Sequence, residues 1–509
     1  MRKQYRPFKE GEKIEIAFLF QAGTVWASWD SVYRACLEEE AFSVRLVLIT
    51  RTTVEEAHSE GARQFLEEHA LPYESDEQID WESYCPHIVF IQFPYDAAFH
   101  VPGTLSLQLA RRGSRVVYIP YGIEISDTLI SRKDHFNSRV VENAWRIYVS
   151  GEGIYREYEK FCRNRRAVRV TGSPKFDSIF DREAFVPDPA IKARAKGRKI
   201  IVWKLHFPKK INNLGRVAMI TPALDEYERF VEVIRAYRQF FFIMMPHPKI
   251  LGRVVASDTQ GDDSMAVRMR AIIDKVRKLE NAVVDVAKDY RPSLYRADAI
   301  ILDRSAVMIE AAMLKVPVLF MKNAAYAEPM VQPVQEVMDA CALGHTCEDM
   351  KHFLDALEEG GQMDIDRRMQ LVDRWFPFRD GRCGSRIAAD LKTSLMEKLP
   401  GDGRPAVVLY GTGEVASYYM DKEGWQNPEA FRLLAISDSN PKKVGTDFFG
   451  HEIIAPGEIR KLDFDYIVIM TEPHFYEIQN YLINEEYLDD RSILRLDEFV
   501  ADILGGEER

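Results

Sequence analysis

Length, composition and charge limit what this chain can be. Its 509 residues are too many for one compact core, and 46% hydrophobic with 29% charged residues is the composition of a folded globular protein, so two or three domains are expected. The net charge of −11 argues against a general nucleic-acid-binding protein, which needs a basic face, but allows a local basic pocket for a phosphorylated ligand.

The N-terminal segment indicates where the protein works. Met1–Lys9 is basic, and Ile14–Phe20 after it predicts a buried first strand rather than a signal peptide. No apolar run approaches the ~20 residues of a membrane helix, and the scattered cysteines suit a reducing compartment. We therefore expect a cytoplasmic protein. Contact of the basic tail with the inner face of the membrane is the second interpretation.

The first part of the chain alternates short β-rich runs with amphipathic stretches. This pattern predicts a mostly parallel sheet with helices on both faces. The unit ends near Asp181, which places the first domain at 1–181. Its predicted strands are Ile14–Phe20, Val44–Ile49, His87–Gln92, Val116–Ile119, Ile147–Val149 and Val168–Thr171, and its helices include Trp29–Glu40 and Ala62–His69.

A second and a third series of the same kind follow. The second occupies 182–398, and the linker Leu399–Pro405 separates it from the third at 406–509. The predicted fold class is therefore α/β, with two tandem Rossmann-like domains and a third, small Rossmann-like domain. Predicted strands are Lys199–Trp203, Phe240–Met245, Ala282–Val286, Ala299–Leu302, Val316–Phe320, Ala406–Tyr410, Arg432–Ser437 and Tyr466–Met470, and helices are Asp225–Arg238, Ser264–Leu279, Ala306–Leu314, Arg386–Lys398 and Glu414–Lys422.

The turn after strand Ala299–Leu302 is the first candidate site. It holds Asp303, Arg304 and Ser305 before a helix predicted to begin at Ala306. Free N–H groups and the dipole of a helix N-terminus attract anions, and an arginine and a hydroxyl would add to that attraction. The alternative is that an acidic or hydroxyl side chain only caps the helix.

Polar residues after two other strands extend this site. His247 stands between prolines directly after one strand, and His206 follows another, with Lys204 close by. Carboxyl ends of parallel strands form the ligand cleft of such sheets, where a histidine can donate to phosphate or move a proton. Glu310, about one turn into the predicted helix, could accept hydrogen bonds from ribose hydroxyls.

The C-terminal domain carries a glycine-rich turn of its own. Gly411, Gly413 and Ala416 match Gly-x-Gly-x-x-Ala between a strand and a helix, and Asp438 ends the next strand. This arrangement is typical of a dinucleotide site, in which the acidic residue meets a ribose hydroxyl. The chain therefore has a possible nucleotide site in this domain, and an accessory domain without ligand is the favoured interpretation.

Several of these segments resemble the CDP-glycerol glycerophosphotransferases. Leu302–Phe320 is similar to the segment where Asp-Tyr-Ser-Ser begins the family's donor-phosphate helix, with Arg304 and Ala306 in place of the tyrosine and second serine. Met245–Pro248 is similar to the His-Pro element. The closing Asp-Gly-…-Ser-x-Arg-Ile element corresponds to Asp380–Ile387, which contains Ser385 and Arg386, and Val170–Asp177 resembles the segment that enters the second domain.

The resemblance implies a GT-B architecture with acceptor groups in the first domain and the donor nucleotide in the second. A polyol phosphate would pass from a CDP-activated donor to a hydroxyl of a glycan or lipid-linked acceptor, with release of CMP. Such an enzyme would serve teichoic-acid or capsule polysaccharide synthesis. Donor-binding roles would fall on the Asp303–Ala306 turn, Glu310, Lys204, Ser385 and Arg386. No acidic cluster requires a metal, so no metal ligand is assigned.

One departure from the family concerns the catalytic base. The family has a His-Gly pair where this chain has Tyr121-Gly122, and a tyrosine with a pKa of ~10 is a poor base at neutral pH. Asp30, Asp96 and His100 are alternative bases. Two other functions remain open: a UDP-sugar glycosyltransferase or epimerase of the same fold, and an NAD-binding oxidoreductase or sensor centred on the C-terminal domain.

Overall fold

The chain folds into three α/β domains, each built on its own sheet. In the larger of two compact units lie the first two sheets, and the smaller unit contains the third. The structure is a computed structural model, and it describes residues 5–9, 11–50, 56–96, 102–208, 210–213, 216–251, 263–326, 328–360, 364–396, 404–422, 425 and 428–502.

The first domain contains a seven-stranded parallel sheet in the order β3-β2-β1-β4-β5-β6-β7. Its strands are nearly continuous apolar runs because helices cover both faces. Phe18 of the central strand stacks on Phe90 of its neighbour, with ring centroids 4.1 Å apart. The strands are β1 Ile14–Phe20, β2 Phe42–Leu48, β3 Glu74–Ser75, β4 Ile88–Ile91, β5 Arg115–Tyr118, β6 Arg146–Val149 and β7 Val168–Val170. The helices are α1 Asp30–Glu38, α2 Glu56–Glu68, α3 Ser106–Arg112, α4 Leu129–Asp134, α5 Arg139–Asn143, α6 Glu152–Phe161 and α7 Pro174–Phe180.

The second domain contains a six-stranded parallel sheet in the order β12-β11-β8-β13-β14-β15, beside a two-stranded ribbon of β9 and β10. The order reverses at the central strand β8, which creates the crevice where open α/β sheets bind ligands. The strands are β8 Lys199–Leu205, β9 Lys210–Asn213, β10 Arg216–Met219, β11 Phe240–Pro246, β12 Ala282–Val284, β13 Ala299–Leu302, β14 Val318–Met321 and β15 Ala342–Gly344. The helices are α8 Pro189–Ala195, α9 Leu224–Ala236, α10 Pro248–Leu251, α11 Asp263–Arg277, α12 Arg291–Leu294, α13 Met308–Met313, α14 Gln332–Asp339, α15 Cys347–Glu358 and α16 Ile365–Trp375.

A long helix, α17, follows the second domain in sequence but packs on the first. Helix α17 spans Cys383–Met396 and buries Leu391 in the core of the first sheet. Asp177 accepts a hydrogen bond of 2.9 Å from the N–H of Gly384 at its N-terminus. A Cβ on Gly384 would lie 2.4 Å from the backbone of Ser31, so only glycine permits this approach. The sequence groups this helix with the second domain, whereas its packing is with the first sheet.

The C-terminal domain contains a six-stranded sheet in the order β18-β19-β17-β16-β20-β21, in which only β18 runs antiparallel to its neighbour. The predicted fold class is confirmed by the three sheets. Among the described residues, no helix combines the length and the apolar character needed to cross a membrane. The strands are β16 Ala406–Tyr410, β17 Arg432–Ser437, β18 Asp447–Phe448, β19 His451–Ile454, β20 Tyr466–Ile469 and β21 Ile493–Arg495. The helices are α18 Glu414–Met420, α19 Pro456–Ile459, α20 Phe475–Asn484 and α21 Leu496–Asp502.

Candidate functional site

The candidate site lies where three neighbouring parallel strands of the second sheet end. β8 pairs with β11 on one side and with β13 on the other. Lys204 lies near the end of β8 and His206 follows that strand, while His247 follows β11 and Asp303 follows β13. Because carboxyl ends of parallel strands meet at one edge, the structure brings these predicted residues together.

The two histidines form a close pair. Their ring centroids are 4.6 Å apart, and the planes are inclined by 55°. His206 is buried, and its Nδ1 lies 2.8 Å from the carbonyl oxygen of Phe207. Because a carbonyl only accepts hydrogen bonds, Nδ1 of His206 donates, and Nε2 is the basic nitrogen of the neutral ring. His247 is half-buried.

Asp303 is a buried carboxyl group with a near-neutral pKa. Its Oδ1 accepts a hydrogen bond of 2.8 Å from the backbone N–H of His206, and its Oδ2 accepts one from the hydroxyl of Tyr227. Burial raises the pKa of Asp303 to about 7, although these hydrogen bonds and nearby cations oppose the rise. No sequence signal marked Tyr227, which faces the site from helix α9.

Lys204 supplies a buried positive charge to the same edge. Its Nζ donates to the carbonyl oxygen of Met245 at 3.3 Å. Burial lowers the pKa of Lys204 to about 8, and attraction to Asp303 opposes that effect. The ammonium group therefore remains mostly protonated at pH 7, where it can attract phosphate.

Arg304 makes an ion pair that the sequence did not predict. Its Nε lies 2.8 Å from Oε2 of Glu328, and another guanidinium nitrogen donates to Oγ of Ser126 at 3.0 Å. The hydroxyl of Ser126, in the first domain, also donates to Glu328. The charge expected to meet a donor phosphate is thus already neutralised by a carboxylate in this conformation.

The helix expected to begin at Ala306 begins later. Helix α13 spans only Met308–Met313 and has no side-chain cap, because its N-cap residue is Val307, whose side chain has no hydrogen-bond acceptor. The Oγ of Ser305 accepts only a long hydrogen bond, of 3.4 Å, from the N–H two residues later. The carbonyl of Ala306 accepts from Nζ of Lys175 at 3.0 Å. The segment is therefore a braced turn rather than a long helix N-terminus.

Glu310 is fully buried and engaged on one side. Its Oε1 lies 2.6 Å from Nζ of Lys175 and accepts a hydrogen bond of 2.7 Å from the hydroxyl of Tyr290. Its Oε2 is also buried and finds no hydrogen-bond partner among the described residues. One carboxylate oxygen thus retains capacity to accept from a ribose hydroxyl, which is the role that the sequence predicts.

Two of the predicted bases in the first domain are held by structural contacts. Asp30 accepts from two arginines, including Arg291 of the second domain at 2.6 Å. Asp96 accepts from the N–H of Ser106 at 3.0 Å. His100 lies outside the described residues. Asp30 therefore bridges the first and second domains, and both of its carboxylate oxygens are engaged by arginines.

The loop containing Tyr121 packs against the second domain. A Cβ on Gly122 would lie 3.2 Å from that of Ala306. The hydroxyl groups of Tyr121 and Tyr95 are 3.0 Å apart, and burial raises the pKa of Tyr121, which keeps the phenol protonated at neutral pH. Glu124, which follows Tyr121 closely in the chain, was not identified by any sequence pattern. It is buried, and burial raises its pKa to about 7.

Ser385 and Arg386 lie on α17, away from the contacts that define the strand-end cluster. Ser385 is exposed. The guanidinium group of Arg386 pairs with Asp380, donates to the carbonyl of Thr171 at 3.4 Å and lies 4.9 Å from the ring centroid of Phe378. These contacts hold the start of α17, and a donor-binding role for both residues remains a prediction.

The glycine-rich turn of the C-terminal domain has the predicted backbone geometry. Gly411 has a φ of +101°, which favours glycine, and Gly413 is the N-cap of α18. Ala416 is buried in the domain core. A Cβ on either glycine would meet no atom within 4 Å, so these glycines serve the turn rather than close packing.

Asp438 closes this turn with its own carboxylate. Oδ2 accepts from the N–H of Thr412 at 2.9 Å and from its hydroxyl at 2.5 Å, and Nζ of Lys443 lies 3.3 Å away. Oδ1 accepts from the N–H of Asn440 at 2.9 Å. Burial alone would raise the pKa of Asp438, but these contacts lower it. Both oxygens, expected to be available to a ribose, are engaged by the protein.

The fold consists of two tandem Rossmann-like domains of GT-B type, with a cationic strand-end cluster in the second, followed by a third, small α/β domain. The family model of CDP-glycerol:poly(glycerophosphate) glycerophosphotransferases matches residues 122–392, which is more than half of the chain. The chain belongs to this family and is a glycerophosphotransferase-like enzyme, as the sequence predicted. A second model, described as C2185-like, N-terminal, matches residues 404–494.

Two solved structures with TM-scores of at least 0.50 support the fold. The Staphylococcus aureus MnaA–UDP co-structure has a TM-score of 0.51 and 14% identity, over 75% of this chain and 96% of that one. The UDP-N-acetylglucosamine 2-epimerase of Neisseria meningitidis has a TM-score of 0.50 and 14% identity, over 74% and 100%. The wall teichoic acid polymerase TagF has a TM-score of 0.49 and 12% identity, over 76% and 90%. No curated protein matches the chain.

Proposed function

We propose that the protein transfers a polyol phosphate, such as glycerol phosphate, from a CDP-activated donor to a hydroxyl of a glycan or polymer, with release of CMP. The family match over residues 122–392 carries this proposal, because it contains the whole strand-end cluster. The acceptor oxygen attacks the distal phosphorus of the donor. The bond from that phosphorus to the bridging oxygen breaks, and CMP leaves.

The charges of the strand-end cluster support phosphoryl transfer. The Lys204 ammonium and the two imidazoles lie at one edge of the sheet, where donors aimed at phosphoryl oxygens stabilise developing charge. The buried setting strengthens these interactions relative to water. Glu310, with one unpartnered buried oxygen, supplies the acceptor for a ribose hydroxyl.

The histidine pair is the proposed proton acceptor. Asp30 is paired with arginines and Tyr121 has a raised pKa, whereas imidazoles titrate near neutrality. His247 is the more exposed of the two rings, so we assign to it the role of accepting the proton from the hydroxyl group of the acceptor.

Synthesis of a cell-surface polymer would take place at the inner face of the membrane.

A ligand screen tests the proposal directly. The purified protein is measured by thermal shift against CDP-glycerol, CDP-ribitol, UDP-sugars and NAD, and CMP release is followed once a glycan acceptor is added. We expect selective stabilisation by a CDP-alditol, because a ligand that binds only the folded state raises its stability. Stabilisation by UDP-sugars alone would replace the proposal with glycosyl transfer or epimerisation. A response to NAD alone would move the function to the C-terminal domain.

A further inference from the structure

Two buried charged groups of the first domain form ion pairs with the second. Asp30 pairs with Arg291 at 2.6 Å, and Lys175 pairs with Glu310 at 2.6 Å. Tyr290, the residue before Arg291, donates its hydroxyl to Glu310. Adjacent residues of the second domain thus contact both ion pairs, which link the two domains at the base of the predicted donor-binding turn.

Lys175 makes several contacts with the second domain. It lies on α7 of the first domain, and its side chain is 3% exposed. Its Nζ donates to the carbonyl of Ala306 at 3.0 Å, pairs with Glu310 and lies 5.6 Å from the ring centroid of Tyr290. One ammonium group thus holds both ends of the segment 306–310.

The segment 306–310 has little regular structure of its own. Helix α13 is short and has no side-chain cap, and the Oγ of Ser305, just before the segment, accepts a long hydrogen bond of 3.4 Å from the N–H of Val307. Short uncapped helices are marginal without tertiary contacts. A buried ammonium is stable only when it is paired with an opposite charge. Lys175 can therefore leave this position only if its charge becomes exposed to solvent or the two domains move apart.

We propose that Lys175 is an interdomain positioning residue that makes the geometry of the donor-binding turn depend on contact between the first and second domains. The ammonium group comes from one domain, and the turn it braces belongs to the other. Contact between the domains orders residues 303–310, and a ligand that requires the ordered turn favours that contact in return. The effect on donor affinity rests on the proposed function, whereas the effect on the turn does not.

Hydrogen–deuterium exchange of Lys175→Met in the full chain tests the effect on the turn. We expect exchange in 303–313 to accelerate by about tenfold, because loss of the ammonium removes a brace from a marginal segment. Exchange in the buried strand β11, residues 240–246, should not change. Lys392→Met is the matched control, since Lys392 forms a partly exposed ion pair with Glu39 at 2.8 Å on α17. That variant should leave 303–313 as in the wild type.

Calorimetry with CDP provides the second readout. We expect the Kd of CDP to rise about tenfold in Lys175→Met, which corresponds to a binding change of ~1.4 kcal/mol, and to be unchanged in Lys392→Met. If the methionine variant is not obtained folded, Lys175→Gln is measured in the same way, since it keeps an N–H donor but loses the charge.

The two readouts separate this inference from the proposed function. Wild-type exchange in 303–313 in a folded Lys175 variant would overturn the positioning role. Accelerated exchange spread equally over the second domain would also overturn it, because that result indicates a general loss of stability. If exchange in the Lys175 variant accelerates only in the turn, and the wild-type protein does not bind CDP, the positioning role is supported and the proposed donor is refuted.

Discussion

Asp303 and Asp438 make an informative comparison, because each directly follows a buried parallel strand in a Rossmann-like domain. Asp438 accepts hydrogen bonds from Thr412 and pairs with the charge of Lys443, and its pKa is lowered. Asp303 accepts from a backbone N–H and a phenol in a fully buried site, and burial raises its pKa to about 7. Similar positions in similar folds therefore hold carboxyl groups whose pKa values are shifted in opposite directions.

The surroundings of the two carboxyl groups explain which turn is suited to chemistry. In the C-terminal turn, groups of the protein itself engage both carboxylate oxygens of Asp438, as expected of a structural element. Beside Asp303 lie Lys204, whose pKa burial lowers to about 8, and the histidine pair. Clusters of titratable groups with perturbed pKa values are typical of functional sites.

Replacement of His247, which lies in the site beside Asp303, should have the largest effect on activity. We expect His247→Ala to lower the rate of CMP release by about 10²- to 10⁴-fold, the usual contribution of a positioned acid–base group. His352→Ala changes an exposed histidine of the same domain and should leave the rate unchanged. Wild-type turnover by a folded His247→Ala protein would remove this residue from the site.

Replacement of Glu310 should have an intermediate effect. We expect Glu310→Gln to raise the Kd of CDP by roughly 10- to 100-fold, because hydrogen bonds to a charged group are worth about 1.5–3 kcal/mol. Calorimetry measures this change. Glu348→Gln, at an exposed acid paired with Lys351, is the control. Equal CDP affinity in Glu310→Gln and the wild type would exclude a role in donor binding.

The smallest expected effect is on the pH dependence of stability, which should differ between variants of Asp303 and of Asp438. Between the unfolded pKa of ~3.9 and about 7, folded Asp303 holds a proton that the unfolded chain has released, so its contribution to stability falls as pH rises. We expect the Tm of Asp303→Asn, relative to wild type, to increase by about 5 °C from pH 5 to pH 8.

Asp438 should behave in the opposite sense. Its lowered pKa contributes stability above the unfolded pKa, and this is lost as pH falls through the folded value. Asp438→Asn should therefore lower the Tm at pH 5 and at pH 8 by the same amount. Its rate of CMP release should remain within about twofold of the wild type. A constant Tm difference for Asp303→Asn as well would contradict the raised pKa.

Much of the fold could be predicted from the sequence because parallel strands buried on both faces leave continuous apolar runs. Strands Ile14–Phe20, Ala299–Leu302, Ala406–Tyr410 and Arg432–Ser437 have the predicted bounds. The position of α17 could not be predicted, since its apolar face fits either neighbouring domain in pattern. Only tertiary packing, with glycine at the contact, places it on the first sheet.

The sequence by itself determined which residues stand at strand ends, because the residues directly after each strand are fixed by their order along the chain. It predicted His206, His247, Lys204 and Asp303 for one edge, and the structure brings them there. Partners distant in sequence were decided only by tertiary structure. The contacts of Lys175 with Glu310, of Asp30 with Arg291 and of Arg304 with Ser126 depend on which domain surfaces meet, and no local pattern encodes that.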